Sequence, residues 1–133
     1  MQQAIANFDM KAHWVEAILM ARIVDRARLP LDPHTVRSVV CSVYEIDSFQ
    51  HDVQKPLADY DKIVLNVPQV IYGSLRTDAM WLIDETGYNF CHRIRLGNVP
   101  DPLRTVGTYY EVRYWIARIT GETTIVRFRL RVN

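Results

Sequence analysis

The sequence predicts an all-β chain: an antiparallel β-sandwich of immunoglobulin-like architecture with an extended N-terminal arm. Three observations carry that expectation. About seven β-rich runs recur at intervals of roughly ten residues. Most of the six prolines and five glycines fall between those runs and act as punctuation. The one segment with a helix-forming composition reads as a strand as well, so no element demands a helix.

The elements follow in chain order. Residues 1–12 have no strong strand or helix pattern and read as an arm, leaving 13–133 as a single domain. A chain of 133 residues is long enough for one core and too short for two. Trp14–Val24 places Val15, Ala17, Leu19, Ala21 and Ile23 on one apolar face of a strand. Its Ala, Leu, Met, Glu and Arg residues also suit a helix, and the strand is the preferred of the two. LPLDP (29–33) is a turn, and TVRSVVCSVYEI (35–46) is a strand rich in β-branched residues. A polar loop leads to IVLNV (63–67), a short strand stopped by Pro68; QVIY is a candidate for another. MWLID (80–84) enters TGYNFCHRIRL (86–96), in which Tyr88, Phe90, His92, Ile94 and Leu96 share a face.

TYYEVRYWIARI (108–119) and TTIVRFRLRV (123–132) read as a hairpin across Thr120-Gly121-Glu122. Burying Val126, Phe128 and Leu130 beside Val112, Tyr114 and Ile116 requires paired positions with an even sum. A connection over 120–122 sets Ile119 opposite Thr123, Tyr114 opposite Phe128 and Arg129 opposite Arg113.

Charge is small overall and uneven along the chain. The formal net charge is +1, yet residues 93–133 carry eight Arg against three acids. A near-zero balance gives no general electrostatic reason to bind nucleic acid or membrane. No apolar run approaches the roughly eighteen residues of a membrane-spanning helix. MQQAIANFDMK lacks the basic and apolar regions of a signal peptide, and two cysteines make no disulfide framework. Synthesis in a reducing compartment, with Cys41 and Cys91 as free thiols, is the expectation.

Chemistry-bearing motifs are missing from the sequence. The four histidines have no metal-ligand spacing, and there is no GxGxxG, GxxxxGK[ST] or GxSxG. Asp84 and Glu85 are adjacent, so on a strand they point to opposite faces and form no acid–base couple. His92 on an apolar face reads first as a satisfied core or rim histidine. The expectation is therefore no catalytic residue, no metal and no cofactor. Arg113, Arg127, Arg129 and Arg131 share one hairpin face with Trp115 and Glu111. A solvated sheet face is the first reading, protein contact the second and nucleic acid the last.

WLIDETGYNF, with Trp81, Asp84, Gly87, Tyr88, Asn89 and Phe90, precedes the YYEVRYWIARITGETTIVRFRLRV hairpin. ILMARIVD and TVRSVVCSVYEIDS lie upstream. This layout resembles small β-sandwich structural proteins of tailed bacteriophages, from the neck, tail or capsid exterior. The resemblance spans residues 18–132. It implies a non-enzymatic virion protein that packs against other virion structural proteins and against copies of itself, without membrane or nucleic-acid partners. The expected contacts are Ile5, Phe8 and Met10 of the arm and Arg113, Trp115, Arg127 and Arg129 of the hairpin. The competing reading is a small β-sandwich binding module for a carbohydrate or a protein ligand, with Trp14, Trp81 and Tyr72 as groove residues.

Overall fold

The computed structural model describes residues 2–46, 55–78, 81–97, 103 and 105–133; for residues 2–8 and 55 it describes the backbone alone. Two sheets pack face to face. The larger contains β1 (Gln2–Met10), β9 (Thr123–Val132), β8 (Tyr109–Arg118), β3 (Val36–Ile46) and β4 (Lys55–Pro56) in that order, with β5 (Ile63–Leu65) also paired to β3. The smaller runs β2 (Glu16–Ala21), β7 (Tyr88–Arg95) and β6 (Ile71–Arg76). A single helical turn, α1 (Val67–Val70), precedes β6.

Alternation along each strand makes the core. Val39, Cys41 and Val43 of β3, Val112, Tyr114 and Ile116 of β8, and Val126, Phe128, Leu130 and Val132 of β9 are buried from the larger sheet. Ala17, Leu19, Ile71, Phe90 and Ile94 meet them from the smaller one. Phe90 bridges the layers, with its ring 4.8 Å from that of Tyr114 and 6.3 Å from that of Phe128. This is the all-β sandwich that the periodicity implies.

Several expectations are corrected in detail. Residues 2–10, expected as an arm that contacts a neighbouring subunit rather than its own core, join the chain's own larger sheet: β1 pairs in parallel with β9, Met10 opposite Val132, and Met10 is fully buried. Parallel pairing at a sheet edge satisfies the backbone whatever side chains the strand carries, so no local strand signal was needed there. That parallel pair is also a departure from a purely antiparallel sandwich. The strand within Trp14–Val24 is confined to Glu16–Ala21, and Val15 is exposed. Residues 67–70 of the segment read as a strand and its continuation form α1, started by Pro68, whose fixed φ suits a first helical turn.

The hairpin has the expected faces but a register two residues away. Arg113 lies opposite Arg127, Glu111 opposite Arg129, and Tyr114 opposite Val126. The three-residue connection is 119–121 rather than 120–122. Gly121 N–H donates to the Arg118 carbonyl at 2.9 Å, Arg118 N–H donates to the Glu122 carbonyl at 2.8 Å, and Gly121 has φ +92°. That is a tight turn closed by a glycine bulge, which needs the left-handed residue one position earlier than a plain three-residue loop assumed. Ile119 consequently stands in the loop, largely exposed.

Candidate protein interface

The outer face of the larger sheet answers what the arginine row is. Glu111 projects from β8 and is completely buried there. Its Oε2 accepts from Arg113 Nε at 3.0 Å and from the terminal amine at 2.6 Å; its Oε1 accepts from Arg129 Nε at 3.0 Å. The Arg113 guanidinium also lies 4.9 Å from the Tyr44 ring centre and 5.7 Å from that of Trp115. Arg131 is forked onto Asp9 of β1 through two bonds of 2.9 Å. These arginines form a packed layer over a buried carboxylate, rather than a free phosphate-binding comb. Arg127, facing Arg113 across the hairpin, has its Nε buried with no hydrogen-bond partner among the described residues.

Of the seven expected contact residues, Arg113, Trp115, Arg127 and Arg129 thus share one half-buried face. Met10 belongs to the core and is withdrawn from the set. The side chains of Ile5 and Phe8 lie outside the described residues; their backbones pair opposite Arg127 and Leu130. Sequence reasoning missed Glu111 as the organising residue. A lone acid two positions from Arg113 on the same strand face was the available signal.

A second surface is built by WLIDETGYNF. Asp84 Oδ1 accepts from Trp81 Nε1 at 3.1 Å and from the backbone N–H groups of Thr86 and Gly87, each at 3.0 Å. Its Oδ2 accepts from Arg22 at 2.8 Å, and the same guanidinium donates to the Gly87 carbonyl at 3.1 Å. The Gly87 N–H above all, then Arg22 and Trp81, holds the Asp84 carboxyl well below the ordinary range. Trp81 folds back onto Tyr88, Cys91, Ile18, Met20 and Tyr72, making a small apolar cluster on the outer side of the smaller sheet. Tyr88 belongs to this cluster and not to the Phe90 face on which alternation placed it. Asn89 explains the break. Its side chain accepts from Ile23 N–H at 2.7 Å and donates to the Ile23 carbonyl at 2.9 Å, replacing a strand partner. The loop so fixed presents Leu82 (89% exposed) and Ile83 (71% exposed) to solvent.

Two clefts flank α1. One, of about 540 Å³, is lined by Pro33, His34, Val36, Val67, Ile71 and Arg76 among others; the second, of about 310 Å³, includes Asn66, Gln69, Cys91, His92 and Arg93. Tyr72 borders both, with the Arg76 guanidinium 3.7 Å above its ring. Trp81 lines neither cleft, and Trp14 stands at the start of the 14–24 segment, 36% exposed.

His92 ties the sheets together. Its Nδ1 and the Tyr114 hydroxyl share a hydrogen bond of 2.7 Å. Burial pulls the imidazole down to about 4 from 6.5. A depressed histidine contributes stability that is present above its unfolded value and lost as pH falls through the folded one. Acidification from about pH 6.5 to pH 4 should therefore remove about 2 kcal/mol, after allowance for the partly exposed ring. Urea melts across that window test it: His92→Phe should flatten the slope, and an unchanged slope would exclude His92 as its source.

Both cysteines are free and buried. Burial pushes Cys41 up to about 12 and raises Cys91 as well, despite the opposing charge of Arg93. Neither is poised as a thiolate nucleophile. Among the described residues no group of three or more His, Cys, Asp or Glu is placed to hold a metal ion, and no helix is long and apolar enough to cross a membrane. Compared with protein-family models, curated proteins and solved structures, the chain matches none.

Proposed function

We propose that this chain is a non-enzymatic structural subunit of a tailed-phage particle, at the neck, the tail or the capsid exterior, working by protein–protein packing. The observation that carries the reading is the Leu82–Ile83 tip. Two large apolar side chains are held out by a loop that Asp84, Arg22 and Trp81 immobilise. Exposed apolar residues on a pre-organised loop lose little conformational freedom when a partner covers them. They also belong to WLIDETGYNF, the middle segment of the resemblance to phage proteins. The half-buried arginine and aromatic face of the larger sheet adds a second surface with the composition of protein contacts.

The test is incorporation. Particles are purified from the phage or prophage that encodes the chain, and the protein is sought by mass spectrometry. The wild type should travel with the particles, and Leu82→Glu/Ile83→Glu should be left behind. Its stability should stay within about 1 kcal/mol of wild type, because both side chains already face water. Wild-type protein found only in the particle-free fraction would sink the reading.

The Tyr72–Arg76 cleft favours one alternative, a module for a carbohydrate or a protein ligand. An aromatic ring under a guanidinium suits a sugar face or an acidic side chain. Saturable binding lost in Tyr72→Ala, with particle incorporation intact, would support that alternative.

A further inference from the structure

We infer that the outer edge of β1 is a self-association edge, which pairs with β1 of a second copy so that the larger sheets of two chains become continuous. This rests on the packing reading above and names one surface and one partner for it.

The argument begins with backbone direction. Asn133 N–H donates to the Met10 carbonyl at 2.7 Å, and Ala12 N–H donates to the Asn133 carbonyl at 2.9 Å. Even-numbered residues near the end of β1 therefore turn their polar backbone groups toward β9. The pairing of β1 with β9 is unbroken from Ile5 to Met10. Backbone groups alternate sides along a strand, so those of Ile5, Asn7 and Asp9 point away from β9. Among the described residues no strand pairs with that side.

Sheet edges are ordinarily protected by being short, bent, charged or proline-bearing. The opposite edge of this sheet follows the rule, with β4 of two residues and β5 of three. From Ile5 to Met10 the β1 edge does not, although a register shift between Gln2 and Ile5 interrupts its first residues. Its nine residues, QQAIANFDM, contain no Lys, Arg or Pro and one acid, Asp9, which Arg131 neutralises. A nearly uncharged edge whose outward donors and acceptors no described strand pairs with is a template for another strand.

A second copy of this same edge fits. An antiparallel pair about a two-fold axis at Ala6 sets Ile5 of one copy opposite Asn7 of the other, and Asp9 opposite Gln3. No like charges meet, and Ile5 and Asn7, which both point outward, fall in mutually bonded pairs. A two-fold contact closes on itself, which gives a dimer rather than an open fibre.

The experiment uses the whole chain. Native mass and sedimentation at tens of micromolar should give twice the 15.5 kDa chain mass. Amide exchange in that dimer should show Ile5, Asn7 and Asp9 protected, and protection at those three should fall on dilution while Ala6 and Phe8 stay protected through β9. Asn7→Pro removes one outward N–H and no bond to β9, so it should give a folded monomer; Asn7→Lys, which keeps the N–H but charges the edge, should weaken the dimer at least tenfold. A wild-type chain that stays monomeric overturns the inference. So does a dimer that survives Asn7→Pro with its exchange pattern unchanged. Neither result touches the particle reading, which stands or falls on whether the Leu82→Glu/Ile83→Glu chain is excluded from particles.

Discussion

Glu111→Ala should cost about 3–5 kcal/mol, the usual consequence of leaving buried charge without its partner. The residue is fully buried on a sheet face that would otherwise be wet, and it holds three guanidinium hydrogen bonds from two arginines. Arg113 and Arg129 are themselves only 19% and 15% exposed at the side chain, so water replaces little of what is lost. Glu111→Gln keeps the shape and removes the charge, and should fall between alanine and wild type. Arg129→Ala should likewise exceed the roughly 1 kcal/mol expected of a solvated surface arginine. Replacing all three residues with apolar side chains of similar size should recover most of the loss, because the pair's attraction is largely spent on its own desolvation. Equilibrium urea melts decide this. A Glu111→Ala variant within about 1 kcal/mol of wild type would mean the arginines are solvated in solution and the face is not pre-organised.

The same residue shows where sequence reading stopped. Alternation in TTIVRFRLRV was enough to put Phe128 and Leu130 inside and Arg127 and Arg129 outside, because a strand with one buried face has only two phases. Parity fixes the face and leaves the register open by twos. Choosing between Arg129 opposite Arg113 and Arg129 opposite Glu111 depended on where the turn closes, and thus on Gly121 taking the left-handed position at 121. With the observed register a carboxylate falls between two guanidinium groups. With the expected one, Glu111 would have faced Arg131, and Arg129 would have stood opposite Arg113 in the place that Arg127 takes.

β1 was illegible for a different reason. A strand is recognised by alternation only when its two faces see different surroundings, and QQAIANFDM has polar residues in both phases. Its place is determined by the free edge of β9, whose residues pair from 122 or 123 positions away and which no local pattern encodes. The WLIDETGYNF segment was legible as a pattern and not as a mechanism. Trp81, Asp84, Gly87 and Asn89 were among the residues that carried the resemblance, yet their roles are hydrogen bonds to one another and to Arg22 and Ile23, which alternation cannot reveal.

Gly87→Ala tests that segment most sharply and should cost about 3 kcal/mol or more. Two terms add. The residue has φ +102°, where an L side chain is strained by about 1–3 kcal/mol. A Cβ would also intrude on the Arg76 carbonyl oxygen and sit 2.9 Å from its carbonyl carbon and from Thr77 Cγ2. Two of these neighbours are backbone, so no rotamer relieves the overlap, and overpacking of that kind costs about 1–3 kcal/mol more. Gly121 supplies the control. It has a similar φ of +92° but nothing within 4 Å of the added atom, so Gly121→Ala should pay the backbone term alone. The difference between the two melts isolates the steric term. If they matched, the loop would be yielding at Gly87, and the Leu82–Ile83 tip would lack the rigidity on which its proposed role in packing depends. In the expected case Gly87→Ala also displaces the N–H that Asp84 accepts and the carbonyl that Arg22 reaches. The tip then loosens without either exposed residue being changed, and, on the proposed reading, incorporation into particles should fall in step with the melt.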